Sequence, residues 1–255
     1  MIVIYIIGFS ILWLILTPLR PDAITTHITE VVWFYIVMAL VSATAIGVKQ
    51  VIESITTIPN KYISFITIIQ QTILFLGFSF ATIIIFSIPI NSIFPKLIPS
   101  LLEDNLSIIS DQTQFPILYM MLAFLSFNIL APIAEELLFR GVLLSKLSSY
   151  YSQKSAIIIT SLAFAILHID LIGGFVFALA AAYMTIITRS LKTAVLFHIS
   201  TNIFIDLIDQ IFPTQIDTAN IDQYLIDQLP IAIILAGITT PLIIRWFIKQ
   251  PIKLK

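Results

Sequence analysis

Apolar stretches long enough to cross a bilayer recur along nearly the whole chain, and they limit its possible folds more than any other feature. A hydrocarbon core of about 30 Å is spanned by about 20 helical residues. Hydrophobic residues make up 59% of the 255 positions and charged residues 11%, whereas soluble domains have about 45–50% and 25%. The sequence therefore predicts an all-α polytopic membrane helix bundle that forms a single transmembrane domain over residues 1–255.

Eight spans are predicted, at about residues 2–19, 31–48, 63–88, 116–141, 154–169, 171–188, 192–208 and 229–248. The first span begins at Met1 without a basic region or an A-x-A cleavage site, so it is expected to be retained. The segment 96–112 alternates apolar and acidic residues at helical spacing. It is expected either to lie flat at the interface or to form a disordered loop.

Basic residues set the orientation. In the eight-span arrangement, 11 of the 13 Lys and Arg residues lie on one side of the membrane. The other side holds only Arg20 and Lys96, together with most of the acidic loop residues. Because basic loops remain in the cytoplasm, the first side is cytoplasmic and both termini are expected there. The net charge of −1 argues against a nucleic-acid partner. The lack of cysteine excludes disulfides, thiolate metal sites and a cysteine nucleophile.

The segment APIAEELLFRG, residues 131–141, places three charged side chains inside a predicted span. A charge in the hydrocarbon region costs several kcal/mol, roughly 3 on insertion scales. Glu136 and Arg140 are four residues apart, so they share a helical face and can neutralise each other. Glu135 points about 100° away from that pair. The spacing predicts an ion pair and one remaining carboxylate, which fits either an active site or a structural helix end.

Two histidines also lie in apolar surroundings. His168 follows Phe164 in FAILH, and His198 precedes Asn202 in HISTN. His198 and Asn202 are four residues apart and share one helical face, which Asp206 extends by a further turn. A lone buried histidine is usually a packed, hydrogen-bonded residue. Two of them together with an unpaired glutamate favour a functional site.

A glutamate and two histidines allow three kinds of chemistry. In the first, Glu135 takes a proton from water that His168 helps to orient, and the hydroxide attacks a peptide carbonyl. His198 and Asn202 then donate hydrogen bonds to the oxyanion. In the second, Glu135, His168 and His198 form a His₂Glu zinc site with water as the fourth ligand, although no H-E-x-x-H motif occurs. In the third, the same groups relay protons or bind a cation in a transporter.

Other signals of intramembrane proteolysis are weak. The sequences GFSI at Gly8 and GFSF at Gly77 resemble the serine motif of rhomboid proteases, but packing is the expected role of both. No G-x-G-D sequence is present, which argues against the presenilin-like aspartyl class.

Three short motifs occur in a fixed order. EELLFR, FAILH and HISTN resemble the signatures E-E-x-x-x-R, F-x-x-x-H and H-x-x-x-N/D of the CAAX-processing and bacteriocin-processing protease superfamily. That superfamily includes type II CAAX prenyl endopeptidases and many abortive-infection membrane proteins. The motifs cover residues 135–202, within a catalytic-motif core at about 116–208. The resemblance implies a glutamate intramembrane protease that needs no metal or other cofactor, with the zinc site as the alternative.

The resemblance also implies a role for each motif residue. Glu135 would be the general base, and His168 would help it to activate water. His198 and Asn202 would form the oxyanion hole. Two further motif residues would hold the shape of the site, namely Glu136 and Arg140.

The depths of the two histidines disagree. At 1.5 Å per residue, His198 lies about 9 Å above Lys192 near the cytoplasmic end of its span, whereas His168 lies about 21 Å above Lys154. A loop that dips between spans four and five, a later start of span five, or a site nearer the midplane would each explain the difference. We expect the four catalytic groups to converge within a few ångströms in a water-filled cavity that opens to the cytoplasm.

Two functions from different classes fit the motifs. The first is an endopeptidase of a prokaryotic plasma membrane that cuts a peptide or membrane-protein substrate, such as a leader peptide, a pheromone or a bacteriocin precursor. The second is a non-catalytic scaffold, such as a self-immunity protein or a signalling regulator. Retention of all four catalytic groups favours the enzyme, and the lack of an obvious inverted repeat argues against a transporter. The lipid bilayer is the other expected partner.

Overall fold

The computed structural model describes residues 23–56, 63–99, 116–211 and 220–249, and within these ranges the chain is helical without strands. The main helices, numbered in chain order, are α1 (Ala23–Ile46), α2 (Val48–Thr56), α3 (Phe65–Ile93), α4 (Pro116–Tyr150), α5 (Gln153–Ile166), α6 (Leu171–Thr188), α7 (Leu191–Ile211) and α8 (Ile221–Lys249).

Six of these helices are long and apolar enough to cross a membrane: α1, α3, α4, α6, α7 and α8. The prediction of an all-α polytopic membrane bundle is therefore confirmed over the described residues. The predicted first span, residues 2–19, lies outside them, as does most of the segment 96–112. The count of eight spans and the cytoplasmic position of both termini stay predictions.

Helix α4 carries the first motif and is longer than predicted, since it continues to Tyr150 instead of ending near residue 141. Two π-helical stretches, Leu125–Leu130 and Leu137–Leu144, flank the α-helical segment Ala131–Glu136 that holds both glutamates. A π-helical turn shifts the face on which the following side chains lie, and such turns are frequent at functional sites. The two stretches therefore set the directions of the charged side chains of α4.

Helices α5 and α6 form a hairpin whose tip contacts the middle of α3. Helix α5 ends at Ile166, and a turn at residues 167–170 leads into α6. Asp170 caps α6 by accepting a hydrogen bond from the N–H of Gly173 at 2.8 Å. It also accepts a hydrogen bond from the hydroxyl of Ser79, which is the central residue of the 29-residue helix α3. The hairpin therefore turns about halfway along α3.

The sequence predicted that His168 lies within span five, but the structure places it in this turn. Its ring stacks on Phe164, with 4.1 Å between ring centroids, so the side chain folds back along α5 by about one turn, or ~6 Å. Helix α5 begins at Gln153, so a later start of span five does not explain the depth difference expected between His168 and His198. The other two explanations stay predictions.

Aromatic side chains fill the centre of the bundle. Phe75, Phe164, Phe177 and Phe197 are buried. Ring centroids are 5.6 Å apart for Phe75 and Phe197, and 4.8 Å apart for Phe177 and Phe197. Phe164 and Phe177 are 5.8 Å apart. Each such contact contributes about 0.5–1.5 kcal/mol beyond the burial of its area. The cluster joins α3, α5, α6 and α7, so it fixes the relative positions of the helices around the motifs.

The Gly-x-Ser sequence at Gly77 packs closely against α8. A Cβ added at Gly77 would lie 3.2 Å from Cγ2 of Thr239, which is a tight contact. This agrees with the packing role expected for that glycine. The other such sequence, at Gly8, lies outside the described residues.

Gly173 lies where the hairpin tip meets α3, and Gly173→Ala is expected to destabilise the protein. An added methyl group would overlap the carboxylate of Asp170 and approach the Cα of Ser79 to 2.9 Å. Because backbone cannot retract as a flexible side chain can, the free energy of unfolding should fall by about 1–3 kcal/mol. Thermal unfolding of the purified variant in detergent measures the loss.

Gly237→Ala is the matched control for this substitution. A Cβ at Gly237 would meet nothing within 4 Å, and alanine favours a helix over glycine. Its stability should be unchanged or slightly higher than that of the wild type. Equal destabilisation by both substitutions would contradict the close contact at Gly173.

Candidate active site

Glu136 and Arg140 form the ion pair that their spacing predicts. Nη1 of Arg140 lies 2.9 Å from Oε1 of Glu136, and the two side chains are 2% and 0% exposed. Nη2 of Arg140 donates to the backbone carbonyl of Ala178 in α6 at 3.1 Å. A desolvated guanidinium needs such acceptors for its remaining N–H groups. The pair therefore links α4 to α6.

His198 extends this pair to α7. Its Nδ1 lies 3.0 Å from Oε1 of Glu136, the same oxygen that accepts from Arg140. An ionised carboxylate only accepts hydrogen bonds, so we assign the hydrogen to Nδ1 of His198. The other ring nitrogen, Nε2, is then left for the cavity. Sequence reasoning missed this contact, because 62 residues separate the two side chains.

Glu135 points away from the ion pair and meets two histidines. Its Oε2 lies 3.8 Å from Nε2 of His168 and 3.9 Å from Nε2 of His198. This oxygen is buried and has no hydrogen-bond partner among the described residues. A buried polar atom without a partner costs about 1–3 kcal/mol. Such an atom is typical of a site that takes up water or a ligand.

His168 is held in one tautomer by the backbone of its own hairpin. Its Nδ1 lies 2.7 Å from the carbonyl oxygen of Phe164. A carbonyl only accepts, so Nδ1 donates and Nε2 of the neutral ring carries the lone pair. That nitrogen is the one that faces Glu135. The His168 side chain is 37% exposed and that of His198 6%, so His168 is the more accessible of the two.

Phe164 supports both the histidine and the arginine of the site. Its ring centroid is 4.1 Å from that of His168 and 4.9 Å from Cζ of Arg140. The second contact is a cation–π interaction that helps to stabilise a desolvated guanidinium. The F-x-x-x-H spacing thus places an aromatic ring one turn before His168, where it orients the imidazole.

Asn202 lines the cavity and bonds to the backbone of α4. Its Nδ2 donates to the carbonyl of Phe127 at 2.7 Å. In this π-helical stretch, hydrogen bonds run five residues back, as from Ala131 to Ser126. Pro132 has no N–H to offer to Phe127 in the same pattern. Asn202 therefore satisfies a carbonyl that the proline leaves free, and its second N–H stays available.

The polar stripe predicted on α7 faces α4. One turn beyond Asn202, the carboxylate of Asp206 accepts a hydrogen bond from the amide of Asn128. With His198 on Glu136 and Asn202 on Phe127, each polar residue of the stripe contacts the same helix. The stripe therefore joins α7 to α4 and does not face lipid.

A cavity of about 580 Å³ contains the site. The four residues to which the motifs assign catalysis all line it, namely Glu135, His168, His198 and Asn202. Three further lining residues are Tyr35, Ser79 and Asp170, which sequence reasoning did not place there. Nothing in the motif spacing connects Tyr35 with the site, whereas Asp170 lies only two residues after His168 and could have been suspected.

Comparison with protein families bears on the segment that holds this site. A family model described as type II CAAX prenyl endopeptidase Rce1-like matches residues 117–204, which include all three motifs. Comparison with curated proteins and with solved structures finds no match. At the level of the family, the activity is that of a CAAX-protease-type intramembrane endopeptidase. The resemblance carried by the motifs is thus confirmed, since the part of the chain that holds them matches the model of Rce1-like type II CAAX prenyl endopeptidases.

Proposed function

We propose that this protein is a metal-independent intramembrane endopeptidase in which Glu135 is the general base. The observation that supports this most directly is the state of Glu135 Oε2. That atom is buried, it has no hydrogen-bond partner in the described part of the chain, and it faces two imidazole nitrogens. The adjacent Glu136, by contrast, uses its Oε1 for an ion pair and a histidine. Oε2 of Glu136 also lacks a partner in the described residues, but Glu136 is neutralised by Arg140 and is not among the residues that line the cavity. Glu135 is therefore the carboxylate of the cavity that we expect to take up a proton.

We infer that a water molecule bridges Glu135 and His168. The facing atoms are 3.8 Å apart, which is too far for a direct hydrogen bond, but a water about 2.8 Å from each would bridge them. The carboxylate and the unprotonated Nε2 both accept, so they would bind the two hydrogens of that water. A lone pair of its oxygen is then left to attack a peptide carbonyl while Glu135 takes up a proton of the water. When the tetrahedral intermediate collapses, the C–N bond breaks and Glu135 returns that proton to the leaving amine. A positioned base of this kind contributes about 10²–10⁴-fold to the rate.

We assign His198 and Asn202 to stabilisation of the resulting oxyanion. Asn202 has one N–H beyond its bond to Phe127, and His198 donates from Nε2 when its ring carries a second proton. In that form, His198 and Arg140 balance the charges of the two glutamates. A single good donor to an oxyanion contributes about 3–4 kcal/mol.

A zinc site formed by Glu135, His168 and His198 is the main mechanistic alternative. In a tetrahedral site, bonds of about 2.0–2.1 Å place neighbouring ligand atoms roughly 3.4 Å apart. The corresponding distances from Glu135 are 3.8 and 3.9 Å. Across residues 23–56, 63–99, 116–211 and 220–249, no group of three or more His, Asp or Glu side chains is arranged to hold a metal. The chelator experiment below distinguishes the zinc site from the metal-free mechanism.

The proposed substrate is a membrane-associated peptide or protein. The family name refers to prenylated CAAX proteins, and we extend only the peptide-bond chemistry to this chain. Apolar side chains make up much of the cavity wall, among them Leu76, Ile83 and Phe127. Such a wall suits a substrate that arrives from the bilayer. We place the protein in a prokaryotic plasma membrane, as the compact loops suggest.

Glu135→Gln is expected to abolish peptide hydrolysis without unfolding the protein. The amide has nearly the same size but takes up no proton, so kcat/KM should fall by about 10²–10⁴-fold. Wild type and variant are compared in lipid nanodiscs on a library of internally quenched peptides. Glu53→Gln is the matched control, because Glu53 is exposed on α2 and pairs only loosely with Lys49.

Undiminished hydrolysis by the Glu135 variant would contradict its role as the base. If neither the wild type nor the variant cleaves any peptide, while both support the same cellular phenotype, the result would favour a binding protein over an enzyme.

Glu136→Gln, one position along, is expected to act on stability. It leaves Arg140 buried without a counter-charge, and breaking a buried ion pair costs about 3–5 kcal/mol. The free energy of unfolding in detergent should fall by that amount relative to Glu135→Gln. Adding Arg140→Met removes the stranded cation and should restore part of the loss. Equal stability of the two glutamine variants would show that the ion pair does not support the fold.

Removal of metal ions is expected to leave hydrolysis unchanged. The purified protein is treated with 1,10-phenanthroline, the chelator is removed, and the rate is compared with that of untreated protein. A metal-independent mechanism predicts equal rates and much less than one zinc per chain by elemental analysis. A loss of activity that added Zn²⁺ restores would instead establish the His₂Glu site.

A further inference from the structure

Asp170, at the tip of the α5–α6 hairpin, connects two helices. Its carboxylate accepts hydrogen bonds from the hydroxyls of Ser79 and Thr82 in α3, the latter at 3.4 Å. It also accepts from the N–H of Gly173 in α6 at 2.8 Å. The proposed mechanism uses none of these groups, although Ser79 and Asp170 both line the catalytic cavity.

The apolar residues of the tip do little to hold it against α3. Ile166, Leu167 and Ile169 are 71%, 72% and 60% exposed, so they bury little of their surface against α3. Because lipid tails are as apolar as these side chains, there is little gain in moving them from lipid onto another helix. At the tip itself, the hydrogen bonds of Asp170 are therefore the directional contacts with α3, whereas the aromatic cluster holds the hairpin farther from the tip.

The position of His168 depends on where this tip lies. The imidazole stacks on Phe164 and donates to its carbonyl, and both contacts are within the hairpin. These contacts move with the hairpin, whereas Glu135 lies on α4, which the hairpin contacts through Phe164 against Phe139 and Arg140. The distance of 3.8 Å between the two catalytic groups therefore depends on how the hairpin is held against the rest of the bundle.

We propose that Ser79 and Asp170 form a tether that holds the hairpin tip against α3. The tether sets the position of His168 opposite Glu135, so both residues are positioning residues for the proposed reaction, on which this inference rests. The Gly-x-Ser sequence at Gly77 then has two structural functions. Its glycine allows close packing against α8, and its serine donates the hydroxyl hydrogen to Asp170.

A second polar contact of α3 offers a matched control. Nδ2 of Asn91 donates to Oδ1 of Asp222 at 2.6 Å, and Asp222 lies in the first turn of α8. Like the tether, this contact joins a polar side chain of α3 to an aspartate at the start of another helix. Neither residue is among those that line the catalytic cavity. Breaking it should affect stability without moving His168.

The kinetic test uses the library peptide that the wild type cleaves best. Asp170→Ala should lower kcat on the order of 10²-fold, the cost of a misplacement of about 1 Å, with KM little changed. Asp170→Asn should keep most of kcat, because its amide still bonds to Gly173 and Ser79. Ser79→Ala should have a smaller effect than Asp170→Ala, since two donors to the carboxylate remain. Asp222→Ala should leave kcat unchanged.

Three results would overturn the tether. The first is a wild-type kcat in Asp170→Ala. The second is an Asp170→Asn variant as slow as Asp170→Ala, which would mean that charge and not position matters. The third is labelling of Ser79 by a fluorophosphonate together with complete inactivity of Ser79→Ala, which would make it a nucleophile. Glu135→Gln stays inactive in the first two cases, so a failed tether is distinguishable from a failed general base.

Spin labels test the tether without any substrate. The chain contains no cysteine, so labels can be attached at Ile73→Cys on α3 and Ile166→Cys at the end of α5, both exposed positions. The distribution of distances between the labels, measured by electron paramagnetic resonance, should broaden in Asp170→Ala. It should stay narrow in Asp170→Asn and Asp222→Ala. An unchanged distribution in Asp170→Ala would overturn the tether even if no peptide is cleaved.

Discussion

Oε1 of Glu136 accepts hydrogen bonds from Arg140 within α4 and from His198 on α7, and the rest of the site is built around this shared oxygen. A charge inside an apolar bundle is tolerable only when it is both neutralised and hydrogen bonded. Arg140 also donates to the carbonyl of Ala178, so one buried network joins α4, α6 and α7. Because adjacent helical residues point about 100° apart, fixing Glu136 also fixes the direction of Glu135.

The two histidines are arranged alike. In each, Nδ1 donates a hydrogen bond to another part of the protein, and Nε2 faces the cavity. Glu136 holds Nδ1 of His198, and the Phe164 carbonyl holds Nδ1 of His168. Acceptors behind a functional imidazole select its tautomer and its orientation. Both Nε2 atoms consequently face the oxygen of Glu135 that has no partner in the described residues. Contacts from four helices thus direct both Nε2 atoms toward the same oxygen of Glu135.

Helical spacing was sufficient to predict contacts within one helix and insufficient for contacts between helices. The pairing of Glu136 with Arg140 follows from four-residue spacing. The bond from His198 to Glu136 does not, because a period of 3.6 residues shows which side chains share a face and not which faces meet. Apolar length also overestimated α5, which ends at Ile166. The cause is Asp170, whose hydrogen bonds to α3 and α6 hold residues 167–170 in a turn. The hydropathy of the neighbouring isoleucines does not reveal these bonds.

The turn at residues 167–170 places irregular backbone about halfway along α3, where lipid has nothing to satisfy its polar groups. Backbone of this kind is tolerated at such a depth only where it is buried in protein or lines a water-filled cavity. All four residues of the turn line the cavity of about 580 Å³, and so does Phe127 in the π-helical part of α4. The unpaired backbone groups of the turn are tolerated only if water or protein donors reach them. Water is also the reactant that hydrolysis needs. The break in the helix that lets His168 fold back toward Glu135 therefore also favours the presence of the reactant beside them.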